Sequence, residues 1–127
     1  MKILLDTCTF IWFLEGSGLS PTASALIVEP ANEVYLSAIS AWEIGRKYAL
    51  GKLKLPERPE ILIPDVRRAA GVEELALSEE DALIVEKLPR HHKDPSDRML
   101  IAQALNRGMV LVSPDRAFHP YPVRVMW

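Results

Sequence analysis

The sequence holds a single cysteine, Cys8, so no disulfide can close within the chain and a disulfide-built scaffold is excluded. A lone thiol suits a reducing compartment, and a cytoplasmic location is expected. Long hydrophobic runs are missing as well. The apolar stretch Ile3–Leu5 is cut off at once by Asp6. A membrane span needs about 20 apolar residues, and a secretory signal needs a longer apolar segment behind a basic start. No membrane association is therefore expected. There is no excess of positive charge either: the net charge of −2 argues against a generic nucleic-acid coat, which would be basic. Repeats and low-complexity tracts are lacking. None of the three histidines has a Cys or His partner at zinc-ligand spacing.

What is present is an ordinary globular mixture, 49% hydrophobic and 25% charged, which can build a core. The 127 residues fit one domain, expected over 1–127, since domains commonly run about 100–150 residues. Charge is unevenly spread. Up to Gly45 the only base is Lys2, against Asp6, Glu15, Glu29, Glu33 and Glu43; bases then gather between Arg46 and Arg98. Such a chain can place an acidic centre inside a basic rim, or simply carry a solvated surface of mixed sign.

Lys2–Leu5 reads as a short buried strand, and Phe10–Leu14 as a short helix ended by Gly16. Ser20-Pro21 supplies a cap and a proline at the first helical position, opening a helix to about Glu29. Glu33–Leu36 is a second strand. Ser37 or Ser40 caps the helix that holds Trp42, Glu43, Ile44 and Tyr48 and stops at Gly51. After a proline-punctuated connection, Lys52–Pro59, Pro64 is expected to open a helix closed by Gly71. Glu73–Leu77 is a third strand. Ser78 begins a capped helix to Leu88, Pro89–Pro95 is loop, and Ser96–Asn106 is a helix stopped by Gly108. Met109–Val112 and Val123–Trp127 complete five strands. Strands that alternate with helices and are apolar throughout indicate a mainly parallel sheet covered on both faces, an α/β/α domain.

In such sheets ligands bind beyond the carboxyl ends of the strands. Asp6 directly follows the first strand and Asp115 the fourth; Asp97 opens the helix leading into that fourth strand, and Glu43 lies one to two turns into the helix after the second. Taken singly, each has a plainer reading as a cap, a turn residue or a first-turn acid favoured by the helix dipole. Converging at one edge, four carboxylates would repel one another unless a cation sat among them. Hard divalent ions, Mg²⁺ or Mn²⁺, answer that need with oxygen ligands, and can activate water for in-line displacement at a phosphodiester.

Four segments, in order along nearly the whole chain, carry a resemblance: Leu4-Leu5-Asp6-Thr7; Ser37 to Ile44; His92 to Ala104, which contains Asp94-Pro95-Ser96-Asp97-Arg98; and Leu111-Val112-Ser113-Pro114-Asp115. They resemble the PIN-domain family, specifically its VapC-type toxin group. The resemblance implies a five-stranded sheet of order 3-2-1-4-5 and a Mg²⁺- or Mn²⁺-dependent endoribonuclease that leaves 5′-phosphate and 3′-hydroxyl ends. It implies an acidic quartet of Asp6, Glu43, Asp97 and Asp115. Asp6, Asp97 and Asp115 would hold metal; Glu43 would contact it directly or through water and orient the attacking water. Thr7 and Ser113 fall where the family places supporting hydroxyls. It also implies an RNA substrate, a VapB-type antitoxin whose tail wraps the toxin and blocks the active site, and a homodimer. The alternative is a catalytically idle PIN-like binding module regulated by a partner protein.

Two positions depart from the family pattern. Cys8 stands where Asn or Ser is frequent, and a thiol is a poor ligand for hard cations, so packing is expected of it. Asp94 is an extra acid three residues before Asp97; it can reach the metal, cap the following helix or pair with Arg98, with capping favoured. His91 and His92 are expected in a solvated or phosphate-contacting loop. Trp12, Phe13 and Trp42 are expected in the core, with a groove for the antitoxin as the lesser reading. Arg46, Lys52, Lys54 and Arg98 are either phosphate contacts or solvated surface. A phosphoaspartate phosphatase would want a second Asp where Cys8 stands, and a signal receiver would want an acceptor Asp where Ser78 stands; neither fits.

Overall fold

The structure, a computed structural model, describes residues 1–127. The apolar run of the first strand, β1 (Lys2–Leu5), lies at the centre of a five-stranded sheet, which is why it is apolar on both faces: Ile3, Leu4 and Leu5 are all fully buried. The other strands are β2 (Glu33–Ser37), β3 (Val72–Leu75), β4 (Val110–Val112) and β5 (Val125–Met126). Their order is β3-β2-β1-β4-β5 and every pairing is parallel, as the family resemblance implies.

Alternation along the strands divides the core in two. Ile3, Leu5, Val34, Leu36 and Val112 face one layer, formed by α1 (Thr7–Glu15), α2 (Pro21–Val28), α3 (Ala38–Ala49) and α4 (Pro59–Ala70), through Phe10, Ile27, Ile44 and Ile63. Leu4 and Leu111 face the other, where Leu100, Ile101 and Ala104 of α6 (Pro95–Arg107) pack with Phe118, Tyr121 and Val123. α5 (Glu79–Ile84) and a 3₁₀ turn, Val85–Lys87, lie beside α6, and a second 3₁₀ turn, Arg116–Phe118, follows β4. No helix is long and apolar enough to cross a membrane.

Local chemistry sets the helix ends. Ser37, not Ser40, caps α3, accepting from the Ile39 N–H at 3.0 Å; Ser40 is buried one turn in. Ser78 and Asp81 form a reciprocal capping box on α5. α6 ends at Gly108, whose φ of 61° is the left-handed conformation that favours glycine.

The helix expected from Pro64 begins a turn and a half earlier. Pro59 takes the first helical position and Pro64 falls inside α4. Its ring forgoes one backbone bond, to the exposed Glu60, and packing of Ile63 and Val66 on the core offsets that loss. β3 also starts one residue early and ends at Leu75, because Val72 and Leu75 are the residues that turn inward.

Candidate metal centre

The register of β1 against β4 pairs Leu5 with Val112, so the residues that follow, Asp6 and Ser113, emerge side by side at the carboxyl edge. Asp6 is buried and both its oxygens are engaged. Oδ1 caps α1 by accepting from the Thr9 N–H at 2.7 Å, and Oδ2 accepts a short hydrogen bond from the Ser113 hydroxyl. Ser113 Oγ in turn accepts from the Asp115 N–H at 3.0 Å, which ties the first and third residues after β4 to the end of β1. Burial raises the Asp6 carboxyl above its usual range and the charge of Asp115 adds to this; bonds from Ser113 and Thr9 work against it.

Glu43 sits in the second turn of α3, half-buried beside α1. Thr7 donates to its Oε1 at 2.7 Å and lies 3.0 Å from Ser40 Oγ, so Thr7 braces the carboxylate and Ser40 in turn holds Thr7. Lys47, one helical turn on, partly compensates its charge. Burial, then Asp94 and Asp6, still push Glu43 upward.

Asp94 is the N-cap of α6: its Oδ1 accepts from the Ser96 N–H at 2.9 Å and more weakly from that of Asp97 at 3.4 Å. It makes no ion pair with Arg98. Asp97, in the first turn of α6, is strongly raised: burial, then the charges of Asp94, Glu43, Asp6 and Asp115, push it up to about 7. Asp115 is exposed and caps the second 3₁₀ turn through the Ala117 N–H at 2.9 Å.

All four acids of the quartet, with Asp94 and Thr7, line one cleft of about 340 Å³, and Lys47 is the only base in its wall. The expected convergence at one sheet edge is therefore present. Cys8 differs from expectation: it is exposed and lines the cleft instead of packing, because α1 turns that residue over the cleft mouth. Burial and then the charge of Asp6 push its thiol up to about 11, so it remains a protonated thiol.

His92 was expected in a solvated or phosphate-contacting loop; it does lie in a loop, but its imidazole is turned inward against Asp97 and is not solvated. Its Nε2 stands 2.9 Å from Asp97 Oδ2, and His92, Asp97 and Asp115 each offer a ligand atom within 4.8 Å of the others. Nothing in the spacing of the sequence marked it; the loop is shaped by residues far along the chain. Arg98 is buried and donates to the Val85, Leu88 and Pro89 carbonyls and to Tyr121, so it is neither a phosphate contact nor a surface residue.

A second cavity of about 800 Å³ shares Glu43, Lys47 and Asp94 with the cleft and extends past Trp42, Arg46 and Lys93. Trp42 is 56% exposed, which removes it from the core, and the Arg46 guanidinium lies 5.9 Å from its ring centre. Phe13 packs against the core layer of α1 to α4, as expected, whereas Trp12 is half-buried and lies tilted against Trp127. Lys52 and Lys54 are exposed and line neither cavity.

Comparison with known proteins places this arrangement. A family model described as PIN domain matches residues 3–123. Ribonuclease VapC22 of Mycobacterium tuberculosis is 33% identical over 97% of this chain and 97% of its own length. Ribonuclease VapC16 of the same organism is 42% identical over 42% of this chain and 38% of its own. Among solved structures, VapBC2 from Rickettsia felis, bound to a DNA fragment from its promoter, contains a similar chain: TM-score 0.76, 16% identity, 99% of this chain and 98% of that one. DNA-bound VapBC from Salmonella typhimurium gives 0.70 at 21% identity, covering 99% and 97%. The chain belongs to the PIN-domain family, within its VapC-type group.

Proposed function

We propose that the protein is a divalent-metal-dependent endoribonuclease and the toxin of a VapBC-type toxin–antitoxin pair. The observation that carries this reading is the meeting of Asp6, Glu43, Asp97 and Asp115, from four separate elements, around one cleft with a single basic residue in its wall. The donor set fits a hard divalent ion, Mg²⁺ or Mn²⁺. Every quartet donor is a carboxylate oxygen, and three of the four carboxyls are held above their ordinary range by burial and by their neighbours' charge. A dication relieves that repulsion.

Asp6, Asp97 and Asp115 would hold the ion, with Glu43 at it directly or through water. Asp97 is assigned as third ligand over Asp94, since Asp97 offers a carboxylate oxygen within 4.8 Å of one from Asp115. A bound divalent ion supplies a more acidic water and offsets negative charge gathering on the phosphodiester. Glu43, braced by Thr7, orients the attacking water and takes up its proton, a task its raised proton affinity suits. Ser113 fixes the rotamer of Asp6. Substrate RNA runs along the neighbouring cavity, where Arg46, Lys47 and Lys93 meet phosphates and the exposed Trp42 offers a base a stacking face. A VapB-type antitoxin partner is supported by the toxin–antitoxin complexes among the structural relatives, and a homodimer is part of the same reading.

The test is cleavage of RNA by the purified chain, free of antitoxin, in Mg²⁺ or Mn²⁺. Cutting should stop on chelation and be lost in Asp6→Asn and Asp97→Asn. Cutting that survives both substitutions would sink the proposal; metal binding without cutting of any RNA would point to an idle binding module.

A further inference from the structure

His92 has no part in the acid-based reading, yet the structure builds a rigid seat for it. Its backbone N–H donates to Tyr121 Oη at 2.9 Å, and that hydroxyl donates to the Pro89 carbonyl at 2.7 Å. Buried Arg98 pins the same loop through the Val85, Leu88 and Pro89 carbonyls. The imidazole packs against Phe118, with ring centres 5.7 Å apart, and its side chain is only 14% exposed.

The ring's two nitrogens face different partners. Nδ1 accepts from the Asp94 N–H at 3.2 Å. A nitrogen that accepts carries a lone pair, so hydrogen bonding assigns the neutral ring with its proton on Nε2. An imidazolium, or a ring protonated at Nδ1, would set two donors against each other at that point. Nε2 is enclosed and has no other partner; Asp97 Oδ2 lies 2.9 Å away, off the N–H direction. The carboxylate can swing into line at little cost, because the terminal torsion of aspartate is broad.

We propose that His92 is the positioning residue for Asp97: its Nε2–H holds Oδ2, so that one carboxylate oxygen is fixed and the other is left to the cleft. The inference rests on the reading of Asp97 as a metal ligand. Partners of this kind orient ligating side chains, and their loss weakens metal binding by about 10–100-fold. Direct ligation by His92 is the competing role that its distance to Asp97 and Asp115 invites. It would require Nε2 to give up the proton and Nδ1 to take one against the Asp94 N–H.

Three measurements decide between them. Long-range ¹H–¹⁵N NMR of the chelated wild type should find the His92 proton on Nε2, and Asp97→Asn should move that nitrogen's resonance. Titration with Mn²⁺ should show about 10–100-fold weaker binding in His92→Leu and recovery of most of it in His92→Gln, whose amide N–H can reach Asp97. Electron spin-echo spectra of the Mn²⁺-loaded protein should show no directly bound nitrogen. A proton on Nδ1, a bound-nitrogen signal that disappears in His92→Gln, or wild-type affinity in His92→Leu would each overturn the proposal. If the wild type binds no divalent ion, the metal-centre reading fails, and the NMR result still decides whether His92 holds Asp97.

Discussion

Replacing Asp97 with asparagine should make the chelated protein more stable while removing its response to metal. Burial and four neighbouring acids push the Asp97 carboxyl up to about 7, against 3.8 unperturbed. Between those values the folded chain keeps a proton that the unfolded chain has released, so stability falls as pH rises from about 4 to about 7 and stays low above that. A gap of about 3 pH units corresponds to a ceiling of about 4 kcal/mol. The cleft is open to water and ions, which reduces this to about 2 kcal/mol. Asparagine removes the charge and keeps an oxygen for His92. At pH 8 in chelator and low salt, Asp97→Asn should therefore melt about 6–10 °C above wild type. The advantage should shrink below about pH 7 and become small near pH 4, vanishing only below the unperturbed 3.8, where wild-type Asp97 is neutral in both states. Adding Mn²⁺ should reverse the order, because only the wild type gains ligand-linked stability. Thermal unfolding of both proteins across pH 4–8, with and without Mn²⁺, reads all of this. An Asp97→Asn protein no more stable than wild type at pH 8 in chelator would refute the claim that unrelieved charge burdens the cleft.

Thr7→Val keeps shape but removes the donor to Glu43; RNA cleavage should fall about 10-fold in single-turnover assays, with Mn²⁺ affinity within about 3-fold of wild type. Asp81, whose side chain is fully buried, would be raised by burial alone. Bonds from Arg107, Asn106 and Ser78 outweigh that and hold its carboxyl far below the usual range. Asp81→Ala should cost about 3–5 kcal/mol in urea unfolding at pH 7; the stability Asp81 provides is present above about pH 4 and lost as pH falls through the acid range. Arg98→Met leaves the Pro89–Lys93 loop without its pin. A loss of about 3 kcal/mol should be accompanied by faster amide exchange at His92.

The parts of this molecule legible in its sequence are those governed by short-range chemistry. An all-apolar tetrapeptide ending in aspartate, a serine–proline helix start and a glycine after α6 each act within a few residues. The strands, most helices and the edge on which the acids would fall could therefore be read directly. The cap on α6 was legible for the same reason: an aspartate before a proline is a local motif. Pro64 misled because proline at a helix start is the local rule, whereas α4 is held by the burial of Ile63 on a distant sheet. His92 was hidden for a similar reason. Its position depends on Tyr121, 29 residues away, and on an arginine that looked like surface. Cys8 and Trp42 were given to the core on residue type alone, and type does not reveal which way a helix rolls.

Arg98 follows Asp97 directly, and a guanidinium there would be the obvious counter-ion for the five acids around the cleft. It points the other way, into a cage of main-chain oxygens beneath the loop. Local neutrality has been withheld from the place where it was nearest to hand, and the same cation has been made a structural rivet. The consequence is a fold that remains electrically incomplete at one rim; on the proposed reading, a small dication arriving from solvent would find its complement waiting and meet no resident competitor stronger than Lys47.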